Sequence, residues 1–135
     1  MTAVACRSVG IVCHSLCMRR SVLIVDDHAA FRSAARELLE AEGFRVVGEA
    51  ADGARALAAV SELCPDVVLL DIQLPDLNGF EVAERLVVEK AAVPEIVFIS
   101  SRSASAFRWR LAANPGWRFI AKSELSGEAL AAVLG

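Results

Sequence analysis

The chain has 135 residues, 56% of them hydrophobic and 23% charged, enough to close one hydrophobic core and too apolar to remain disordered. Its net charge of −3 leaves no basic footprint for direct nucleic-acid binding. No run of about 18 uncharged apolar residues is present to span a membrane.

Residues 1–20, MTAVACRSVGIVCHSLCMRR, stand apart. Arg19 and Arg20 follow the apolar stretch instead of preceding it, the reverse of a secretory signal. The segment reads as a weakly amphipathic or disordered extension, with Met18 as a candidate natural start. Cys6, Cys13 and Cys17 lie in it beside His14. CHSLC matches neither a CxxCH haem signature nor paired zinc ligands, so the expectation is reduced thiols in a cytoplasmic protein.

From Ser21 onward, apolar runs alternate with helical patterns. SVLIV (21–25) is a β-branched run too short for a buried helix. Phe31, Ala34, Leu38 and Leu39 recur at helical spacing, and Glu42-Gly43 closes that helix. RVVGEA (45–50) is a more polar second strand, suited to an edge, with nothing reactive at its end. Asp52-Gly53 then opens a helix expected to bury Ala54, Leu57, Ala58 and Leu63. Cys64 ends it before Pro65, read as a buried small hydrophobe.

DVVLL (66–70) is the most apolar strand. It is followed by a helix from about Gly79 that buries Phe80, Ala83, Leu86 and Val87. EIVFIS (95–100) is a fourth strand, residues 103–113 a helix, and WRFIA (117–121) a fifth strand. Ser126 caps a last helix. Five strands alternating with five helices predict an open doubly wound α/β fold, a parallel sheet covered on both faces.

Such folds bind ligands at the carboxyl ends of their strands. Asp26-Asp27, Asp71, Ser100 and Lys122 all fall there, from strands one, three, four and five. Converging carboxylates repel one another unless a cation sits among them. Oxygen ligands suit a hard divalent ion, Mg2+ above all. Ser100 and Lys122 could hold phosphate oxygens, so the edge suits acceptance of a phosphoryl group on a carboxylate. Within VLLDIQLPDLNG (68–79), Asp71 comes where the apolar run stops and turn residues begin.

Four pieces in order, VDD (25–27), LLDIQLPDLNG (69–79), ISS (99–101) and AKS (121–123), make residues 21–135 resemble the receiver domain of two-component response regulators. The spacings of 44 residues from Asp27 to Asp71, 29 to Ser100 and 22 to Lys122 also look like that family. The resemblance implies a flavodoxin-like sheet with strand order 2-1-3-4-5. It implies that Asp71 is the phosphoacceptor, and that Asp27, Asp71 and the Gln73 backbone carbonyl ligate Mg2+, with Asp26 acting largely through water. Ser100 would be the switch hydroxyl, Lys122 the partner of the phosphoryl group and Phe119 the switch aromatic. Phe119 lacks a tyrosine hydroxyl, which suggests an inward bias. Pro75 and Gly79 would shape the acceptor loop.

The implied partners are a sensor histidine kinase and a downstream protein or separate output domain. The resemblance also allows a phosphorylation-dependent homodimer. DIQLPDLNGFEV is similar to receivers usually joined to a helix-turn-helix domain. With the sequence stopping at Gly135, the chain reads as either a stand-alone or a truncated receiver. Departures are Asn114-Pro115 before the fifth strand and Ser101 where the family commonly has Ala. These leave open a pseudo-receiver that acts as a constitutive interaction module. An enzymatic role of the haloacid dehalogenase type is disfavoured because Gln73 stands where its second aspartate would act as acid/base; self-phosphorylation and self-dephosphorylation are the only chemistry expected. His28 reads as a first-turn helix residue, not a phosphoryl carrier. Trp109 and Trp117, among Arg102, Arg108 and Arg110, suggest either an interaction patch or a partly buried pair.

Overall fold

The structure, a computed structural model, describes residues 20–89, 93–114 and 116–134. Residues 1–17 and Pro115 lie outside these, and with them the expectations for the extension. The strands are β1 (Ser21–Val25), β2 (Arg45–Ala50), β3 (Val67–Asp71), β4 (Glu95–Ser100) and β5 (Arg118–Ala121). The helices are α1 (Ala29–Ala41), α2 (Gly53–Leu63), α3 (Gly79–Glu89), α4 (Arg108–Ala112) and α5 (Gly127–Leu134). All strand pairs are parallel, in the order β2-β1-β3-β4-β5. The expected doubly wound architecture is present.

Parallel central strands are covered on both faces, which is why β1 and β3 are apolar throughout and buried at every position. Alternate residues then feed two cores. Leu23, Val25, Val68, Leu70 and Phe98 pack with α2 and α3. Val22, Ile24, Val67, Leu69, Val97 and Ile99 pack with α1 and α5. The strands are thereby clamped in register, and their carboxyl ends emerge along one edge.

Several local expectations hold. Gly43 closes α1 with a φ of 95°, a left-handed conformation that costs glycine nothing sterically. Asp52 caps α2 by accepting from the Arg55 N–H at 2.8 Å, and Ser126 Oγ accepts from the Ala129 N–H at 2.9 Å. Others need correction. β3 runs one residue later than expected and includes Asp71 itself. On α1 the buried residues are Ala35 and Leu39, while Ala34 and Leu38 face solvent. On α2 they are Gly53, Ala56 and Val60; Ala54, Ala58 and Leu63 are exposed. Val87 is likewise half-exposed on α3.

Residues 103–113 do not form one helix: a 3-10 turn (Ala104–Phe107) leads into the five-residue α4. Cys64 is the left-handed C-cap of α2, half-buried and disulfide-bonded. It is not the buried small hydrophobe expected. The two tryptophans part company. Trp117 packs on Phe80 and Phe98 with ring centroids 5.8 and 5.1 Å away, whereas Trp109 is 88% exposed.

Candidate functional site

The acidic edge is assembled by backbone geometry. β1 ends at Val25, and the next residue, Asp26, stays pinned to β2 because its N–H donates to the Ala50 carbonyl at 3.0 Å. That register buries the Asp26 carboxylate completely. Its Oδ1 accepts from the His28 N–H at 2.8 Å. Asp27, next along the chain, remains exposed. On the neighbouring strand, Asp71 is 3% exposed, its Oδ1 accepting from the Gln73 N–H at 3.1 Å.

Lys122, immediately after β5, supplies the balancing charge. Its Nζ lies 2.5 Å from Asp26 Oδ2 and 3.3 Å from Asp71 Oδ2. It also stands 4.7 Å from the centroid of the Phe31 ring, a cation–π contact from α1. The approach to Asp26 is close but poorly directed, and Oδ2 has no well-formed hydrogen bond among the described residues.

Burial pushes the Asp71 carboxyl up to about 6, and the Asp26 charge adds to that rise. The Gln73 N–H and the Lys122 ammonium pull the other way. For Lys122, burial alone would favour the neutral amine. The Asp26 carboxylate, with Asp71 behind it, outweighs burial and holds the ammonium above its ordinary value.

Gly79 explains the turn after Asp71. A Cβ built there would lie 2.5 Å from the Asp71 carbonyl oxygen and 2.9 Å from Ile72 Cα. Its N–H donates to the Ile72 carbonyl at 2.8 Å, so α3 starts directly against the strand that carries Asp71. Gln73 and Asn78 form an antiparallel bridge across the intervening loop, with Pro75 exposed at its bend.

The remaining candidates are close in the fold but not in contact with the carboxylates. Ser100 is 1% exposed, and its Oγ accepts from the Arg102 N–H at 3.1 Å. Ser101, next to it, is exposed. Phe119 is half-buried and leans inward, its ring 6.2 Å from that of Phe107. In the loop before β5, Asn114 closes a turn: its carbonyl accepts from the Trp117 N–H at 3.0 Å and its side chain from the Gly116 N–H at 3.2 Å.

Three residues escaped the sequence reading. Arg32, one turn into α1, donates to the Asp26 carbonyl at 2.5 Å and pairs with Glu49 at 3.0 Å. Glu49, on β2, pairs with Arg32 and Arg36 at 3.0 and 2.9 Å. The Arg36 hydrogen bond, with Arg32 in support, outweighs burial and holds its carboxyl below the ordinary range. Asp76 accepts from the Gly53 and Ala54 N–H groups at 2.7 and 3.0 Å, tying the loop after Asp71 to the start of α2. Its carboxyl is lowered chiefly by the Gly53 N–H. The signal for Asp76 was present in PDLNG, where it read only as a turn residue. His28, read as a first-turn helix residue, is instead the N-cap of α1, and its Nδ1 lies 3.2 Å from Asp26 Oδ1 and 3.0 Å from Asp27 Oδ1.

The donor set fits the divalent ion that the resemblance implies. Asp26, Asp27 and His28 bring ligand atoms within 4.8 Å of one another. A wholly buried carboxylate with an ill-satisfied oxygen sits beside an exposed one, and Asp71 adds a further negative charge. Such an arrangement favours a cation that brings its own waters.

Comparison with known proteins agrees with this geometry. The response regulator receiver domain family matches residues 22–134. A Pseudomonas aeruginosa protein named as a transcriptional regulator is 39% identical over 111 residues, 82% of this chain and 53% of that protein. The Bordetella pertussis virulence-factor transcription regulator BvgA is 37% identical over 108 residues, 79% of this chain and 51% of that protein. The chain thus spans about half the length of these curated relatives. Among solved structures, the receiver domain of the Mycobacterium tuberculosis response regulator NarL superposes with a TM-score of 0.74 at 30% identity, covering 86% of this chain and 94% of that one. A LuxR-family response regulator from Aurantimonas sp. SI85-9A1 gives 0.75 at 29% identity, covering 86% and 83%. By sequence and by strand order, the chain belongs to the response regulator receiver domain family.

Proposed function

We propose that the chain accepts a phosphoryl group on Asp71 from a sensor histidine kinase, in a Mg2+-dependent reaction, and changes its output face in response. The observation that carries this reading is the shared Lys122: one ammonium spans Asp26 and Asp71 at the strand ends. In the proposed reaction an ionised Asp71 oxygen attacks phosphorus, the bond from phosphorus to the donor's nitrogen breaks, and an acyl phosphate forms. Because its pKa is about 6, Asp71 is mostly ionised at neutral pH and ready as a nucleophile. Lys122 would follow the transferred charge, and Ser100 and Phe119 would relay the change by releasing their present contacts. Asp26, Asp27, Asp71 and the Gln73 carbonyl would hold Mg2+, whose chemistry is to neutralise the phosphoryl oxygens.

The described residues contain no helix long and apolar enough to cross a membrane, and we place the reaction in the cytoplasm with the kinase. A separate output domain or downstream protein, of the kind suggested by the transcription regulators among its relatives, would read the switch.

Intact-mass spectrometry after incubation with acetyl phosphate, with and without Mg2+, tests the reading. A Mg2+-dependent gain of one phosphoryl group, absent in Asp71→Asn, is the expected result. No gain where a control receiver is labelled would sink it in favour of a constitutive interaction module.

A further inference from the structure

The described residues bring one imidazole into the acidic pocket, and its position follows from the backbone. His28 is the N-cap of α1, with extended φ and ψ of −96° and 110°. Its N–H donates to Asp26 Oδ1 at 2.8 Å, and its carbonyl accepts from the Arg32 N–H at 3.1 Å. The side chain makes no capping bond to the helix and is 71% exposed. What holds the ring is the carboxylate pair, with Nδ1 at 3.0 Å from Asp27 Oδ1 and 3.2 Å from Asp26 Oδ1. These are hydrogen-bond and ion-pair distances, and they also equal the separation of about 3 Å between cis ligands around an octahedral ion at about 2.1 Å. The fully buried Asp26 has its Oδ2 ion-paired with the Lys122 ammonium at 2.5 Å, without a well-directed hydrogen bond.

We propose that His28 donates Nδ1 to the ion held by Asp26 and Asp27, and so shifts the pocket's preference from Mg2+ toward borderline divalent ions such as Co2+. The inference rests on the cation-pocket reading above. Carboxylate and water suit Mg2+, whereas imidazole favours later transition metals. The ring needs no rearrangement of the fold to do this, only the tautomer with its proton on Nε2. An oxygen-only receiver pocket would lack this discrimination.

The test is calorimetric titration of the full chain with Mg2+ and, separately, Co2+, beside His28→Asn and Asp27→Asn, with the visible spectrum of bound Co2+ recorded. The expected result is a Co2+ affinity about tenfold weaker in His28→Asn, with Mg2+ affinity nearly unchanged and the nitrogen-ligated Co2+ bands lost. Asp27→Asn should weaken both ions. Equal loss of both ions in His28→Asn, or no loss of either, overturns the proposal. It is also overturned if all of the Co2+ signal survives both substitutions, since His14 and the cysteines of residues 1–17 then account for it. If the wild-type chain binds Co2+ elsewhere but no Mg2+, the cation-pocket reading falls as well, which separates the two failures.

Discussion

Asp71 and Lys122 show what the site costs the fold. The Asp71 carboxyl titrates near 6 in the folded chain against an ordinary 3.8. Between those values the folded state holds a proton that the unfolded state has lost, so lowering the pH through this window stabilises the fold. Above it, the buried charge persists and works against folding. Asp71→Asn removes that charge while keeping the shape. In chelator at pH 7.5 it should therefore raise the melting temperature by a few degrees, and the gain should shrink toward zero as pH falls to 4.5. A pH-independent gain, or a loss, in thermal unfolding would contradict the burial argument. Removal of the cation works in the opposite sense. Lys122→Ala leaves buried Asp26 without its counter-charge and should destabilise by roughly 1–3 kcal/mol in chemical denaturation. It should also push the Asp71 titration upward, as carbon-13 NMR of the carboxyl would show.

At the level of elements, the junction between β3 and α3 closely constrains Asp71, the proposed acceptor. Adding one methyl at Gly79 forces a contact with backbone, the Asp71 carbonyl and Ile72 Cα, and backbone at a central strand end has little room to yield. Gly79→Ala should cost about 1–3 kcal/mol and slow labelling by acetyl phosphate through displacement of Asp71. Gly43→Ala, at a position with no neighbour within 4 Å, loses only the ease of its left-handed φ and should leave labelling unchanged. If Gly79→Ala labels at the wild-type rate, the close approach is not what positions the acceptor. Glycine at this position was legible in LPDLNG as turn chemistry; the reason for it was not, because a backbone contact leaves no apolar pattern. The helix faces show the same limit. Ala34 with Leu38 and Ala35 with Leu39 both satisfy an i, i+4 spacing, and only the assembled fold decides that the second pair is buried. Likewise Asp76 and Arg32 act through backbone groups of distant segments, and nothing in their own neighbourhoods announces it.

Across the whole molecule, the doubly wound parallel sheet and the meeting of Asp26, Asp71 and Lys122 were readable because they follow from few facts: apolar runs, their alternation with helices, and which residue ends each run; the order of the strands came from the family resemblance alone. Trp117 was ambiguous because its partners, Phe80 and Phe98, come from α3 and β4, contacts fixed only once the sheet is assembled. The same assembly makes the proposed cation pocket a global feature. Its residues come from the ends of β1, β3 and β5, and these strands share both cores, so an ion held there binds the folded chain and not the unfolded one. Mg2+ at a hundredfold its dissociation constant should then add about 2.7 kcal/mol, a rise of about 10 °C in melting temperature for a domain of this size. Asp27→Asn should lose most of that rise without losing the fold, because Asp27 is exposed. Scanning calorimetry with and without Mg2+ measures it directly. A transition that does not move with Mg2+ would mean that the ammonium of Lys122 already balances the strand ends and that no cation is recruited there.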